Sequence, residues 1–284
     1  MIAITAATGQ LGQLVVEQLL TQVPAAQLVA VVRSPAKATA LTAKGLAVRG
    51  ASYDDPAALE HAFAGVATLL LISGSEVGQR ARQHANVIAA ARRAGVKLLV
   101  YTSLLRADTT PLNLAPEHVA TEQALRASGI PFIILRNGWY HENYAASVPS
   151  ALTHQAFVGS AGTGRISSAA RADYAAAAVA ALTGRATIGR TYELAGDTAY
   201  TLAEFAAELS RQSGKTIPYV NLPEADYAGI LLKAGLPAPL AHGLASWDAS
   251  AAQGALFHAG RDLSELIGRP TTPWSAAITA ALPR

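Results

Sequence analysis

Short unbroken apolar runs alternate with stretches of helical periodicity through the first half of the chain. Met1 to Ile4, Leu28 to Val32, Thr68 to Ile72, Leu98 to Tyr101 and Phe132 to Leu135 are such runs. None shows the in–out alternation of a half-exposed strand, so they read as central strands of a parallel sheet covered on both faces. Between the first two, Leu14, Val15, Leu19 and Leu20 recur at helical spacing. Further helices are predicted near 36–44, 56–64, 79–94 and 118–128, and a short strand at Ala47 to Arg49. Asp54 or Asp55 can cap the helix that opens at Pro56, while Gly129 and Pro131 close the one before the last run. The class predicted is α/β, a doubly wound parallel sheet of Rossmann type. Beyond Asn137 the rhythm loosens. Glycine-rich connections at 159–164 are followed by a helix at 171–182, a strand at 191–194, a helix at 202–213, a strand at 217–220 and mostly helical sequence to Arg284. This predicts a Rossmann domain over 1–137 and, over 138–284, a smaller lobe that returns in part to the first core and caps the carboxyl ends of the strands, where open α/β sheets take their ligands.

The turn after the first run carries the first chemical signal. Thr5-Ala6-Ala7-Thr8-Gly9-Gln10-Leu11-Gly12 links strand to helix with the spacing Ala6-x-x-Gly9-x-x-Gly12. Gly9 lets the backbone approach a pyrophosphate, Gly12 lets the helix lie close on the strand, and the first-turn N–H groups face the anionic oxygens. The spacing alone also fits a plain helix-opening turn, and Ala6 stands where the usual fingerprint has glycine. Position favours the dinucleotide reading, because the loop leaves the first strand and opens the first helix. Arg33 then falls about twenty residues after Gly12, where an NAD-specific fold places a carboxylate on the ribose 2′-hydroxyl. A guanidinium there suits a 2′-phosphate, and Lys37 adds charge from the next turn. NADPH is therefore the expected cofactor.

Composition narrows the classes. The 284 residues, 51% of them hydrophobic, suffice for one large α/β domain or a large and a small one. No run approaches the roughly 18 consecutive apolar residues of a membrane helix, and no basic region precedes the apolar start, so cytoplasmic location is expected. The absence of cysteine removes disulfides, thiolate catalysis and Cys-ligated metal. Any redox chemistry must borrow a cofactor, and no metal site is apparent. The net charge of +3 comes from scattered residues rather than a basic block, which argues against nucleic acid as a partner.

Several segments together resemble the NmrA-like, atypical short-chain dehydrogenase family. They are Ala7 to Gly12, Leu70 to Arg80, Tyr101 to Leu105, Leu135 to Tyr144, and Arg171-Ala172-Asp173-Tyr174. Within the family the chain is most similar to the bacterial NAD(P)H:quinone oxidoreductase 2 type, with the triphenylmethane reductases a step further away, and the likeness extends over essentially its whole length. The resemblance implies a flavin-independent reductase that passes a hydride from NADPH to a small-molecule quinone or similar flat acceptor; the sequence leaves monomer and homodimer both open, and the lack of a membrane-length apolar run argues against a membrane partner. By position it places Ala6, Ala7, Thr8, Gly9, Gln10 and Leu11 along the pyrophosphate, Arg33 at the 2′-phosphate, and Ser73, Gly74 and Ser75 along the cofactor. Asn137, Gly138, Trp139, Tyr140, His141 and Glu142 fall at the nicotinamide end, and Ser168 joins the cofactor contacts. Asn137, Trp139, Tyr140 and Asn143 would form the hydride-transfer pocket.

Ordinary short-chain dehydrogenases use a Tyr-x-x-x-Lys pair on the helix after the fifth strand. The matching positions here are His118 and Glu122, one helical turn apart, which reads as a modest exposed pair rather than a proton donor. A quinone makes the missing acid understandable, since its phenolate-type product has a pKa around 10 and water can protonate it. Two other classes fit as well: a non-catalytic NADP(H) sensor that contacts a partner protein, and a reductase of triphenylmethane-like dyes.

Overall fold

A computed structural model describes residues 1–283. The first half runs β1 (Ile2–Thr5), α1 (Gln10–Leu19), β2 (Leu28–Val32), α2 (Thr39–Ala43), β3 (Ala47–Gly50), α3 (Pro56–Ala62), β4 (Thr68–Leu71), α4 (Arg80–Arg93), β5 (Leu98–Leu104), α5 (Ala115–Ala127) and β6 (Phe132–Asn137). After these come α6 (His141–Ala145), α7 (Val148–His154), β7 (Phe157–Gly159), α8 (Arg171–Leu182), β8 (Thr191–Leu194), α9 (Leu202–Ser213), β9 (Tyr219–Asn221), α10 (Glu224–Lys233), α11 (Ala238–Ala252), α12 (Asp262–Ile267) and α13 (Trp274–Ala281).

Seven strands form one sheet in the order β3-β2-β1-β4-β5-β6-β8, and every recorded pairing in it is parallel. The unbroken apolar runs follow from burial on both faces. Ile4, Ala30, Leu70, Val100 and Ile133 point to a core shared with α1 and α8, and Ala3, Val29, Leu69, Leu99 and Ile134 to one shared with α3, α4 and α5. Helix α8 is alanine at every position from 175 to 181 except Val179, which brings it close against α1. Its buried Asp173 accepts from Thr272 N at 2.7 Å and Arg269 Nη2 at 2.6 Å, tying the late chain to this layer. A separate aromatic core of Tyr144, Phe157, Tyr200, Phe205 and Trp274 holds the β7–β9 ribbon and its helices, with Tyr200 and Trp274 stacked at 4.7 Å. No described helix is long and apolar enough to cross a membrane.

Asp55 caps α3, as its position suggests, accepting from Ala58 N at 2.9 Å. Strand β5 runs three residues beyond its apolar run, to Leu104, because Thr102 and Ser103 are buried yet satisfied by hydrogen bonds that hydropathy does not register. Helix α5 opens at Ala115, with Pro116 in its first turn, ahead of the expected His118. The three-residue β7 was not predicted, since it exists only by pairing with β9 across 60 residues of chain.

Candidate cofactor and acceptor site

The strand order reverses between β1 and β4, and their carboxyl ends are the topological switch point of the sheet. Thr5 fixes that point: its hydroxyl donates to Leu70 O at 3.1 Å and accepts from Ile72 N at 3.0 Å. The chain then turns through Ala6, whose φ of +49° is left-handed, and Gly9 N closes the turn on Ala6 O at 2.8 Å. A Cβ on Gly12 would run into Ala6 O and lie 2.8 Å from Ala7 Cα, so only glycine lets α1 sit this close to the turn. No side chain caps α1 and no acidic residue occupies its first turn, leaving its N–H groups and the positive end of its dipole for an anion.

The Ala6 geometry makes a direct prediction. A left-handed alanine costs about 1–2 kcal/mol, partly offset by the greater freedom of glycine in the unfolded chain. Ala6→Gly is therefore expected to stabilise the protein by roughly 0.5–1 kcal/mol in denaturant titration and to bind NADPH at least as tightly. Weaker cofactor binding in the glycine variant would count against this turn as the pyrophosphate loop.

A cavity of about 720 Å³ crosses the carboxyl edge of the sheet. At the β2 end it is lined by Arg33, Ser34 and Lys37, and in the middle by Ala6, Thr8 to Gly12 and Ser73 to Glu76. At the far end lie Thr102, Ser103, Asn137, Tyr140, Asn143 and Arg171. The buried Ala7 is not part of the lining. The Ser73–Glu76 wall is latched from beneath. Ser73 N donates to Thr102 Oγ1 at 2.9 Å, Gly74 N to His84 Nε2 at 3.0 Å, and Arg80 Nε to Gly74 O. The Glu117 carboxylate accepts from Gly78 N at 3.1 Å and Arg80 N at 2.9 Å. Because His84 Nε2 accepts, its Nδ1 carries the proton and faces Thr121 Oγ1 at 3.0 Å. Burial, assisted by the nearby Arg80 charge, lowers the His84 pKa to about 4.

His118 and Glu122 do not form the exposed pair expected from their spacing. Both are buried, because α5 turns this face onto the sheet, and each takes a different partner. His118 Nδ1 lies 2.7 Å from the Tyr101 hydroxyl, and burial together with Arg80 lowers its pKa to about 3. Glu122 receives a bidentate pair from Arg136, Nε and Nη2 each at 2.8 Å, and a hydrogen bond from Ser103 Oγ at 2.7 Å. Burial alone would raise the Glu122 carboxyl, but the bonds from Arg136 and Ser103 outweigh it and hold it below its ordinary value. The place of the usual Tyr/Lys pair thus holds a neutral histidine and a buried ion pair.

These two histidines predict an acid-labile fold. Their folded pKa values lie below the unfolded value of about 6.5, so below that pH the unfolded chain binds more protons. The stability they confer is complete above about pH 6.5 and drains away as pH falls toward about 4, by up to about 1.4 kcal/mol per pH unit for each. Urea titrations from about pH 7 to about pH 5 should show that slope, and His118→Asn should reduce it by about half. An unchanged slope in the variant would mean that His118 is not held neutral.

At the far end, the Tyr140 ring packs edge-on against Tyr174 at 5.2 Å, and the Arg171 guanidinium carbon sits 4.6 Å from its centre. Asn137 Oδ1 is buried without a hydrogen-bond partner among the described residues. The other residues singled out near here stand behind the wall rather than in it. Gly138 N donates to Leu194 O at 2.8 Å, and a Cβ there would meet the Tyr174 hydroxyl at 2.9 Å. Trp139 packs edge-on against Trp247 at 5.7 Å in the lobe core. His141 donates from Nε2 to Thr272 O at 3.0 Å and receives Ser168 Oγ on Nδ1 at 2.7 Å. Glu142 accepts from Arg171 N at 3.0 and 3.2 Å, capping α8. Among the lining residues, Tyr53, Arg80, Gln83 and Arg171 carried no site signal of their own in the sequence, although Arg80 and Arg171 lay in segments already noted. Among the described residues no group of three or more His, Cys, Asp or Glu is placed to hold a metal ion.

A parallel sheet with a tight glycine turn at its switch point, an uncapped helix N-terminus facing it and a basic strand end beside it define a dinucleotide-binding Rossmann protein. The chain belongs to the NAD(P)H-binding family, whose profile matches residues 6–185. It is 58% identical over 279 residues to quinone oxidoreductase 2 of Escherichia coli K12, covering 98% of each chain. The crystal structure of the NADPH-dependent quinone oxidoreductase of Escherichia coli complexed with NADPH superposes with a TM-score of 0.96 at 57% identity over 99% of both chains. The Citrobacter sp. triphenylmethane reductase complexed with NADP(H) follows with a TM-score of 0.94 at 39% identity, covering 99% of this chain and 100% of that one.

Proposed function

We propose that this protein reduces quinones with NADPH, by direct hydride transfer and without flavin, and that residues 1–137 chiefly bind the cofactor while 138–284 chiefly form the acceptor side. One cavity holds a guanidinium at one end, an anion-ready helix terminus in the middle and an aromatic wall with an unsatisfied amide oxygen at the other, and this arrangement supports the proposal most strongly. That order of groups fits the 2′-phosphate, pyrophosphate and nicotinamide carboxamide of NADPH, and the volume is in the range of small-molecule sites. The likeness to the Escherichia coli enzyme supports the same reading.

NADPH supplies the hydride and the quinone accepts it as an electron pair with a proton, giving the hydroquinone monoanion and NADP⁺; water then supplies the second proton. Arg33 and Lys37 hold the cofactor's phosphate end, and the α1 N–H groups hold its pyrophosphate. Asn137 Oδ1 accepts from a ligand donor, which would satisfy an otherwise orphaned atom. Tyr140 forms the flat wall that sets the approach of the acceptor. Arg171, only 14% exposed and 4.0 Å from Glu142, places positive charge where negative charge develops on the acceptor. No side chain has to act as acid: His118 is buried and neutral, and burial raises the Tyr140 phenol above its ordinary value.

Purified protein is expected to consume NADPH with a simple benzoquinone and no added flavin; a sensor would bind NADPH without turnover, and a dye reductase would favour triphenylmethane dyes. Tyr140→Ala should lower kcat/KM for the quinone about tenfold or more while NADPH affinity changes less than about twofold. Equal loss of both would place the ring against the cofactor instead of the acceptor.

A further inference from the structure

The 2′-phosphate end of the cavity already contains an anion of its own. Arg33 Nη1 is paired with Glu76 Oε1 at 2.6 Å, and the other oxygen of that carboxylate accepts from Gln83 Nε2 at 3.0 Å. Both charged side chains are open to solvent, 71% and 46% exposed, and both line the cavity with Gln83. Resting on the assignment of Arg33 to the 2′-phosphate, we propose that Glu76 is a specificity-determining residue: it competes with the 2′-phosphate of NADPH for Arg33 and accepts the ribose 2′-hydroxyl of NADH.

A phosphate and a carboxylate are both bidentate partners for one guanidinium, and they cannot share its face without like-charge repulsion. NADPH must therefore separate Glu76 from Arg33 before its phosphate takes the same donors. The backbone around Glu76 has little freedom to retreat. Gly74 is held by His84 and Arg80, Gly78 N by Glu117, and Gln79 N donates to Glu76 O at 3.1 Å. The exchange falls to the Glu76 side chain, which rotates off Arg33 toward solvent.

NADH brings a hydroxyl where NADPH brings a dianion. A carboxylate on the 2′-hydroxyl is the usual device of NAD-binding folds, ordinarily supplied from the end of the second strand. Here that position is Arg33, and the carboxylate comes instead from the loop after β4. Gln83 fixes its orientation, and Arg33 can keep its ion pair while the hydroxyl donates to the same group. One arginine and one glutamate would thus read two cofactors in two arrangements, with Glu76 narrowing the preference for NADPH that Arg33 creates.

Direct binding of NADPH and NADH to the wild-type protein and to Glu76→Gln, Arg33→Ala and the double variant tests this, with no dependence on turnover. Glu76→Gln should tighten NADPH about three- to tenfold, since an exposed ion pair and a repulsion are both removed, and should weaken NADH a few-fold. The NADPH gain should disappear when Arg33 is already alanine, because the competition acts through that guanidinium. If Arg33→Ala changes the ratio of the two dissociation constants but Glu76→Gln leaves both constants where they were, the role of Glu76 is wrong and the cofactor assignment stands. If Arg33→Ala leaves the ratio unchanged, the assignment of Arg33 fails and the proposal falls with it.

Discussion

Arg33→Asp is expected to weaken NADPH binding by about a hundredfold or more and to leave NADH within a few-fold of wild type. Losing charge-assisted hydrogen bonds to a phosphate accounts for about 1.5–3 kcal/mol, and a carboxylate facing the dianion adds repulsion. Exposure of the site moderates both, so the effect should shrink as salt is raised. The cavity geometry limits the damage to this end, because the turn at Ala6 to Gly12 and the backbone at Ser73 and Gly74 are held independently of Arg33. Parallel titrations with NADPH and NADH decide it; equal losses for both would remove Arg33 from the 2′-phosphate.

The second large effect is on stability. Glu122→Ala should cost about 3–5 kcal/mol and lower Tm by about 10 °C, the usual consequence of stranding a buried charge. Arg136, 7% exposed, would keep Glu193 at 2.8 Å and the more exposed Asp108 at 2.9 Å, but its Nε and Nη2 would lose both their acceptors, and Ser103 would lose its own. Since Ser103 and Asn137 line the cavity at the ends of β5 and β6, some loss of turnover should accompany the loss of stability. A melting temperature within a degree or two of wild type would show that the pair is not the anchor its geometry describes.

Much of the scaffold was legible because local and global signals agree. Strands buried on both faces announce themselves as unbroken apolar runs, and Asp55, Pro56 and the glycine turn mark their helices by short-range chemistry. The tight turn at the switch point was legible for the same reason, being strand, turn and helix in sequence order. What the sequence concealed depends on contacts between distant segments. His118 and Glu122 share a helix face, but whether that face meets water or the sheet is decided by Tyr101, Ser103 and Arg136 on neighbouring strands. Tyr53 and Gln83 reach the cavity from a loop and a helix whose spacing carries no motif, Tyr53 through its hydroxyl at 2.9 Å from Ile72 O. Trp139, an attractive pocket wall on paper, finds a better apolar partner in Trp247, more than a hundred residues later in the chain. The departure at Ala6 was visible at once, but only its φ shows that the missing glycine bears a conformational cost.

If a hydride passes from bound NADPH directly to a quinone held against one face of the cofactor, only the hydrogen on that face of C4 is lost. The most direct measurement uses NADPH carrying deuterium on one or the other face of C4, with benzoquinone as acceptor and no added flavin, and analyses the NADP⁺ formed. One hydroquinone per NADPH is expected, with deuterium wholly lost from one isomer and wholly retained in the other, because the site presents a single face. Loss from both faces, or turnover only after flavin is added, would contradict it.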